Sequence, residues 1–422
     1  MKTKIVLFIM LAVTGLAVCS EQADTVEHVA VVEISSSSAP SPAIVQAIKP
    51  AKPLVQMAIL LDTSSSMEGL IEQAKTELWS IVNEFIFAKR NGMEPELQVA
   101  LYEYGKSSLD SKDGYIRQIV PFLTDLDKIS EELFALKTNG GQEYCGWVIQ
   151  EAAKSLKWSD SFNDLKVIFI AGNEPFTQGQ VDYNKACKEA IAKGIIVNTI
   201  HCGTESEGIN GHWKDGAVLA DGSFLNIDQN RKVARINAPQ DKEIAELSIK
   251  LNGTYIAYGG MGGMGFGNQA LQDKNAASIS HESAVQRSVT KSSFNYRNSE
   301  WDLVDALKDN KVNLESMKED ELPENMQKMT VEERKAYADA KATERVTIQK
   351  RIQELNIQRE AFIKTEMQKQ AASQTASGGV GNRGSLGSAV TSTVRQQAMR
   401  KNFSFEQPVV TPPGGQGAGS SN

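Results

Sequence analysis

The chain has 422 residues, 41% of them apolar and 7% aromatic, enough for a sizeable core and, at this length, for one domain with appendages or two domains. Its formal net charge of −7, with no basic run beyond the first residues, excludes nucleic acid as a main partner, because phosphate binding needs a concentrated positive surface. Four cysteines and four histidines, with no CxxC or HxxxH spacing, argue against a zinc module.

The first element in chain order is a leader. Lys2 and Lys4 precede the apolar stretch Ile5 to Val18, which is too short for a typical spanning helix, and polar chain follows. Residues 1–20 therefore read as a secretory signal, and the protein as exported to the periplasm or cell envelope. Leu16-Ala17-Val18-Cys19 is similar to a bacterial lipobox, with Val18 standing where a small residue is usual, so a lipid anchor at Cys19 is one outcome and plain cleavage near Cys19 or Ser20 the other. Residues 21–52 are rich in Ser, Pro and Ala and read as a linker.

From residue 53 the pattern changes. LVQMAILL is a nearly continuous apolar run, as expected of a strand buried on both faces. Met67 to Lys89 has helical spacing. LQVALYEY and GYIRQIVPF read as strands, and Asp125 to Leu136 and Glu143 to Leu156 as helices. LKVIFIAG is again a buried strand, Val181 to Lys193 a helix ending at Gly194, IIVNTIHCG a strand, Asp241 to Leu251 a helix and TYIAYG a last strand. Between them, Asp221-Gly222 flanked by short apolar runs predicts a two-residue hairpin within a loop spanning 204–238. This alternation implies an α/β fold: a doubly wound, mostly parallel sheet flanked by helices, with ligands at the carboxyl edge of its strands. Asp62 ends the first strand at that edge. The predicted domain runs over 53–260.

GGMGGMGFG, after the last strand, reads as a mobile loop opening a region of helical segments over 261–329. Thr330-Val331-Glu332-Glu333 has a capping-box pattern and starts a long helix over 330–370. Ile348, Ile352, Leu355 and Phe362 fall on coiled-coil-like spacing interrupted by Arg359, a seam for packing back on the domain, for an oligomer or for a partner. Residues 371–422, rich in Gly, Ser, Gln and Pro, read as a disordered tail.

The chemistry concentrates at Asp62-Thr63-Ser64-Ser65-Ser66, a DxSxS pattern. A carboxylate and two hydroxyls on alternate residues of a turning loop are hard oxygen ligands suited to Mg²⁺ or Mn²⁺. Helix capping by the same residues is the competing reading. The motif alone carries little information, and its position between an apolar strand and an amphipathic helix gives it meaning.

Over roughly residues 54 to 258 the sequence resembles the von Willebrand factor type A (vWA) domain family. The resemblance implies that Asp62, Ser64 and Ser66 form the core of a metal-ion-dependent adhesion site, joined by Thr138 of LKTNGGQEY. The family also places an aspartate after its fourth strand. This chain has Gly172 there, followed by Asn173 and Glu174, either of which could turn in and supply an oxygen. AGNEPF, DGAVLADG and YRNSEWDLVDA are similar to a group of bacterial exported proteins that carry this domain. The resemblance implies a non-catalytic module that binds a protein partner's carboxylate through its metal, with no small-molecule cofactor. An envelope scaffold with a degenerate metal site, acting through the C-terminal helical arm, is the alternative. The absence of GxSxG, HExxH and a P-loop agrees with a non-enzymatic reading.

Cys145, Cys187 and Cys202 remain beyond the leader. An exported protein can form one disulfide from these, Cys187 with Cys202 first among the pairings. His201 reads as a strand-end histidine, and Trp213 and Trp301 as packing residues.

Overall fold

The protein is described from a computed structural model covering residues 52–230, 236–375 and 385–405, with the side chains of 371–375 left aside. The leader, the Cys19 anchor and most of the linker lie outside the described residues. Among the described residues no helix is long and apolar enough to cross a membrane.

Six strands form one sheet: β1 (Leu54–Asp62), β2 (Glu96–Tyr104), β3 (Ile116–Leu123), β4 (Leu165–Gly172), β5 (Ile196–Cys202) and β6 (Phe224–Ile227), in the order β3-β2-β1-β4-β5-β6. All neighbours run parallel except β2 and β3. The helices are α1 (Glu68–Asn83), α2 (Leu126–Ala135), α3 (Cys145–Ser155), α4 (Tyr183–Ala192), α5 (Glu205–Asn210), α6 (Trp213–Leu219), α7 (Asp241–Asn252), α8 (Gly262–Ile279), α9 (His281–Lys291), α10 (Leu303–Lys308), α11 (Glu324–Gln327), α12 (Val331–Thr375) and α13 (Leu386–Arg400).

The continuous apolar runs are explained by burial on both faces. Along β1, Val55, Met57 and Leu61 enter a core shared with α1, α2, α7, α9 and α13, while Ala58 and Leu60 enter another shared with α3, α4 and α6. The chain winds from β1 outward to β3, then returns to β4 on the other side of β1. The order therefore reverses between β1 and β4, and the crevice outside their carboxyl ends is where ligands bind in such sheets. Asp62 and Gly172 end those two strands.

Several elements depart from the sequence expectations. The predicted hairpin at 204–238 is instead two short helices and a parallel sixth strand. Thr204 and Glu207 form a capping box that starts α5, and GAVL lies on α6 rather than in a strand. Asp221 takes a positive φ of 52°, and a Cβ on Gly222 would stand 1.8 Å from the Val197 carbonyl oxygen, so this dipeptide serves a tight approach to β5. TYIAYG forms no sheet strand. It makes an isolated bridge between Ala257 and Asp302, and the sixth place belongs to Phe224–Ile227. The glycine-rich stretch opens α8 instead of forming a loop, because Gly265 lies against Trp301, where a Cβ would come within 2.2 Å of the ring.

The long helix does not stand away as a coiled coil. Ile348, Ile352 and Leu355 are buried in the main core of the same chain. Arg359, the apparent interruption of the seam, is fully buried and pairs with Asp241 (2.8 Å) and Glu282 (2.5 Å). Arg345 is likewise buried, bonded to Asp302 (2.6 Å), Asp305 (3.0 Å) and the Thr254 carbonyl (2.7 Å). The expected disordered tail contains α13. Its Leu386, Val390, Val394 and Ala398 recur every fourth residue and bury one stripe in the main core. Its N-terminus meets Gln73, whose side-chain oxygen accepts the Leu386 N–H (3.0 Å), and Glu77, which accepts the Gly387 N–H.

Candidate cation site

The chain leaves β1 at Asp62 and turns through Thr63–Ser66 into α1. The turn is pinned from both sides: the Thr63 N–H donates to the Tyr104 carbonyl (2.9 Å), the Ser65 N–H to the Gly140 carbonyl (2.9 Å), and the Asn139 N–H to the Thr63 carbonyl (3.0 Å). The loop holding Thr138 is thereby seated beside the DxSxS turn by backbone hydrogen bonds, with Thr138 itself half-buried.

Asp62 is fully buried. Its Oδ1 accepts the Ser64 N–H at 2.7 Å, while its Oδ2 has no hydrogen-bond partner among the described residues. Neither Ser64 nor Met67, the residues preceding the first helical turns, makes a side-chain cap hydrogen bond. Capping therefore does not account for the hydroxyls. Ser64 Oγ and Ser66 Oγ stand 3.2 Å apart, and Ser66 Oγ donates to Asn173 Oδ1 at 3.4 Å. The turn from β4 thus brings Asn173 to the serines. Glu174, half-buried, has its backbone oxygen tied by the Trp213 indole N–H (2.8 Å).

A residue the sequence reasoning did not single out belongs here as well. Glu143 is 5% exposed although it lies in a loop, and its N–H donates to Gln178 Oε1 (2.6 Å). It shares with Asp62 the space beside Gly105: a Cβ on that glycine would stand 2.9 Å from Asp62 Oδ1 and 3.0 Å from Glu143 Cγ. Gly105 has a φ of +83° and Gly141 would place a Cβ 2.9 Å from Glu143 Oε1, so both glycines hold room for carboxylates. Residues 139–144 give an extended, glycine-containing approach to the helix with no period, and nothing in that string marks Glu143 as inward-facing.

The electrostatics follow from this crowding. Burial pushes the Asp62 carboxyl up to about 7; the Ser64 N–H and hydroxyl oppose the shift, and the Glu143 and Glu174 carboxylates add to it. Burial and then Glu174 push Glu143 up, against a hydrogen bond from Ser64. No cationic side chain figures among the groups acting on either. Buried carboxylates are normally paired with cations or bound to metals. The residues present fit a hard dication: one carboxylate with an open oxygen, two uncapped hydroxyls, and further carboxylate and amide oxygens around them. Among the described residues no group of three or more His, Cys, Asp or Glu side chains is placed to hold a metal by itself, so such a site depends on the serines.

The other expected features resolve as follows. Cys145, Cys187 and Cys202 are free and buried, and the Cys187–Cys202 disulfide is not formed. Cys187 lies in the core against α3 and α6 and Cys202 in the core on the opposite face of the sheet. Burial pushes all three thiols up, Cys187 to about 12. His201 is 2% exposed, its Nε2 3.3 Å from the Asn173 carbonyl, and burial lowers its pKa. Trp213 is buried against Phe176. A cavity of about 570 Å³, lined by Asn173, Thr177, His201, Glu207 and His212 among others, opens beside the β4 turn.

No family model matches the chain, and no curated protein matches it. Solved vWA domains are among the structures it is similar to. The SpRpn10 VWA domain is 20% identical with a TM-score of 0.33, over 42% of this chain and 90% of that one. The conserved hypothetical protein BatB from Bacteroides thetaiotaomicron is 17% identical with a TM-score of 0.32, over 41% of this chain and 90% of that one. Proximal thread matrix protein 1 of the mussel byssus is 14% identical with a TM-score of 0.31, over 41% of each chain, so less than half of that protein is spanned.

Proposed function

We propose that this protein is a non-catalytic binding module in which a Mg²⁺ or Mn²⁺ ion, held between the ends of β1 and β4, captures a carboxylate of a protein partner. The observation that carries this reading is the fully buried Asp62 carboxylate, whose Oδ2 has no hydrogen-bond partner, beside two serine hydroxyls that cap no helix. Asp62 supplies charge to the cation, Ser64 and Ser66 supply neutral oxygens, and Thr138, Asn173 and Glu174 line the rim from the two neighbouring loops. When bound, the ion supplies an electrophilic open position for an acidic side chain. The surrounding loops read the shape of the partner. The leader-like pattern of residues 1–20 supports a location in the periplasm or cell envelope, with Cys19 as lipid anchor where the leader is processed as a lipoprotein; cell fractionation of wild type and Cys19→Ala tests that reading.

The test of the site is thermal unfolding of the full chain in EDTA, then Mg²⁺, then Mn²⁺, beside Asp62→Ala. A ligand that binds the folded state alone raises the midpoint. The expected result is a metal-dependent rise that Asp62→Ala removes, together with loss of partner capture by that variant from envelope extract. No rise in the wild type would defeat the proposal.

One observation supports the scaffold alternative. The last turns of α12, residues 361–370, are mostly exposed and carry Met367 at 51% exposure. Deleting residues 300–370 would remove buried core. Met367→Asp is therefore the appropriate probe: under the scaffold reading it abolishes partner capture, and under the metal reading it leaves capture intact.

A further inference from the structure

A cation bound by Asp62 alone would keep much of its charge, and the family this sequence resembles adds a second carboxylate at the position of Gly172. The structure shows why no side chain stands there. A Cβ on Gly172 would lie 2.6 Å from Tyr104 Oη, 3.0 Å from Asp62 Oδ2 and 3.1 Å from the Trp213 ring. Both aromatic side chains are anchored. The Tyr104 hydroxyl donates to the Ala171 carbonyl (3.0 Å), and the Trp213 indole N–H to the Glu174 carbonyl (2.8 Å). The space an aspartate would need is filled by two buried rings held by hydrogen bonds to the strand end itself.

We propose that Glu143 supplies the missing carboxylate, entering the cation site from the loop before α3 instead of from the end of β4. This rests on the cation reading above. Glu143 is 5% exposed and shares the space beside Gly105 with Oδ1 of the Asp62 carboxylate, whose other oxygen, Oδ2, is buried and has no partner among the described residues. Its backbone is fixed by Gln178, and the glycines at 105 and 141 leave room for its side chain. Two other residues could substitute. Asn173 brings an amide oxygen to Ser66 and adds no charge. Glu174 carries charge, but it is less buried, and its backbone is drawn toward Trp213. With Asp62 and Glu143 both engaged, the two carboxylates balance a dication, so the site binds its ion before any partner arrives.

The experiment is Mn²⁺ binding to the full chain after dialysis against EDTA, read by calorimetry or by the Mn²⁺ spin signal, for wild type, Asp62→Asn, Glu143→Gln and Glu174→Gln. Melting in EDTA checks that each variant is folded. Wild type binds, Asp62→Asn does not, Glu143→Gln weakens binding by at least about tenfold, and Glu174→Gln by less than about threefold. Glu143→Gln binding like wild type, while Asp62→Asn does not bind, overturns the role of Glu143 and leaves the cation site standing. Glu174→Gln losing as much as Glu143→Gln assigns the second carboxylate to Glu174 and likewise overturns it. Absence of binding by the wild type overturns both.

Discussion

Two of the places where this protein buries charge are built on opposite rules. Under α12, Arg345 and Arg359 are buried with carboxylates against them: Asp302 and Asp305 for one, Asp241 and Glu282 for the other. At the carboxyl edge of the sheet, Asp62 and Glu143 are buried with no cation against them among the described residues, and one Asp62 oxygen has no partner there. Desolvation costs are similar in kind at both. The first set is saturated within the chain and fixes how the helix sits. The second is left open among the described residues, as the proposed cation site requires. The way a buried charge is satisfied separates architecture from site better than burial alone.

Removing one partner should break this comparison most visibly at the saturated end. Arg345→Ala leaves Asp302 buried without its cation and is expected to cost about 3–5 kcal/mol in urea unfolding, enough to threaten the fold. A loss below about 1 kcal/mol would mean the pair is not buried in solution. At the open end the sign reverses. The folded-state pKa of Asp62 lies above its ordinary value of 3.8, at about 7, so the metal-free protein should lose stability as pH rises from about 4 to about 7 and then level off. Three units at 1.36 kcal/mol each set a ceiling on the order of 4 kcal/mol, and partial solvent relaxation should leave roughly half of it. Asp62→Asn should flatten that slope and raise stability in EDTA at pH 7.5 by about 2 kcal/mol, while abolishing any response to Mg²⁺. Destabilisation by the same variant in EDTA would show that the carboxylate is satisfied after all.

Smaller effects sharpen the contrast. Gly172→Ala forces a methyl group against Tyr104 and Trp213 and should cost about 1–3 kcal/mol by chemical denaturation, with full stability retained as the contrary outcome. Ser66→Ala should leave stability in EDTA within about 0.5 kcal/mol, because Ser66 is exposed and caps nothing, while weakening the metal-dependent rise in melting midpoint. An Ser66→Ala protein with an unchanged metal response would remove Ser66 from the site.

Much of this was legible in the sequence, for reasons that can be named. The strands β1 and β4 are buried on both faces and so leave nearly continuous apolar runs, and Asp125 and Asp182 announce α2 and α4 as side-chain N-caps. The place of Asp62 at the carboxyl edge followed from the alternation of strands and helices. What was missed depended on partners distant in sequence. α13 hides in a stretch dominated by Gly, Ser and Gln, where its four apolar residues show periodicity but too little hydropathy to stand out. The strand Phe224–Ile227 is four residues long, and the aspartate–glycine before it mimics a hairpin. Glu143 is assigned inward by Gly105, some forty residues earlier, and the exclusion of a side chain at 172 is decided by Tyr104 and Trp213. Arg359 of α12 looked like a break in an apolar seam because its partners lie at 241 and 282.

The placement of α13 sets a timetable. Leu386 and Gly387 bond to Gln73 and Glu77, Gln397 to Asn198, and Ser404 pairs with Lys89, so segments some 200 to 315 residues apart close the same core. A chain emerging from the ribosome cannot seal this face of α1 until residues 385–405 have been made, and contacts this distant slow folding further. Until then α1 and the sheet beneath it present open apolar surface and form no finished domain. Were residues 1–20 to direct export, as their pattern predicts, such a delay would keep the chain threadable through a narrow translocation channel, with α13 locking the fold on the far side.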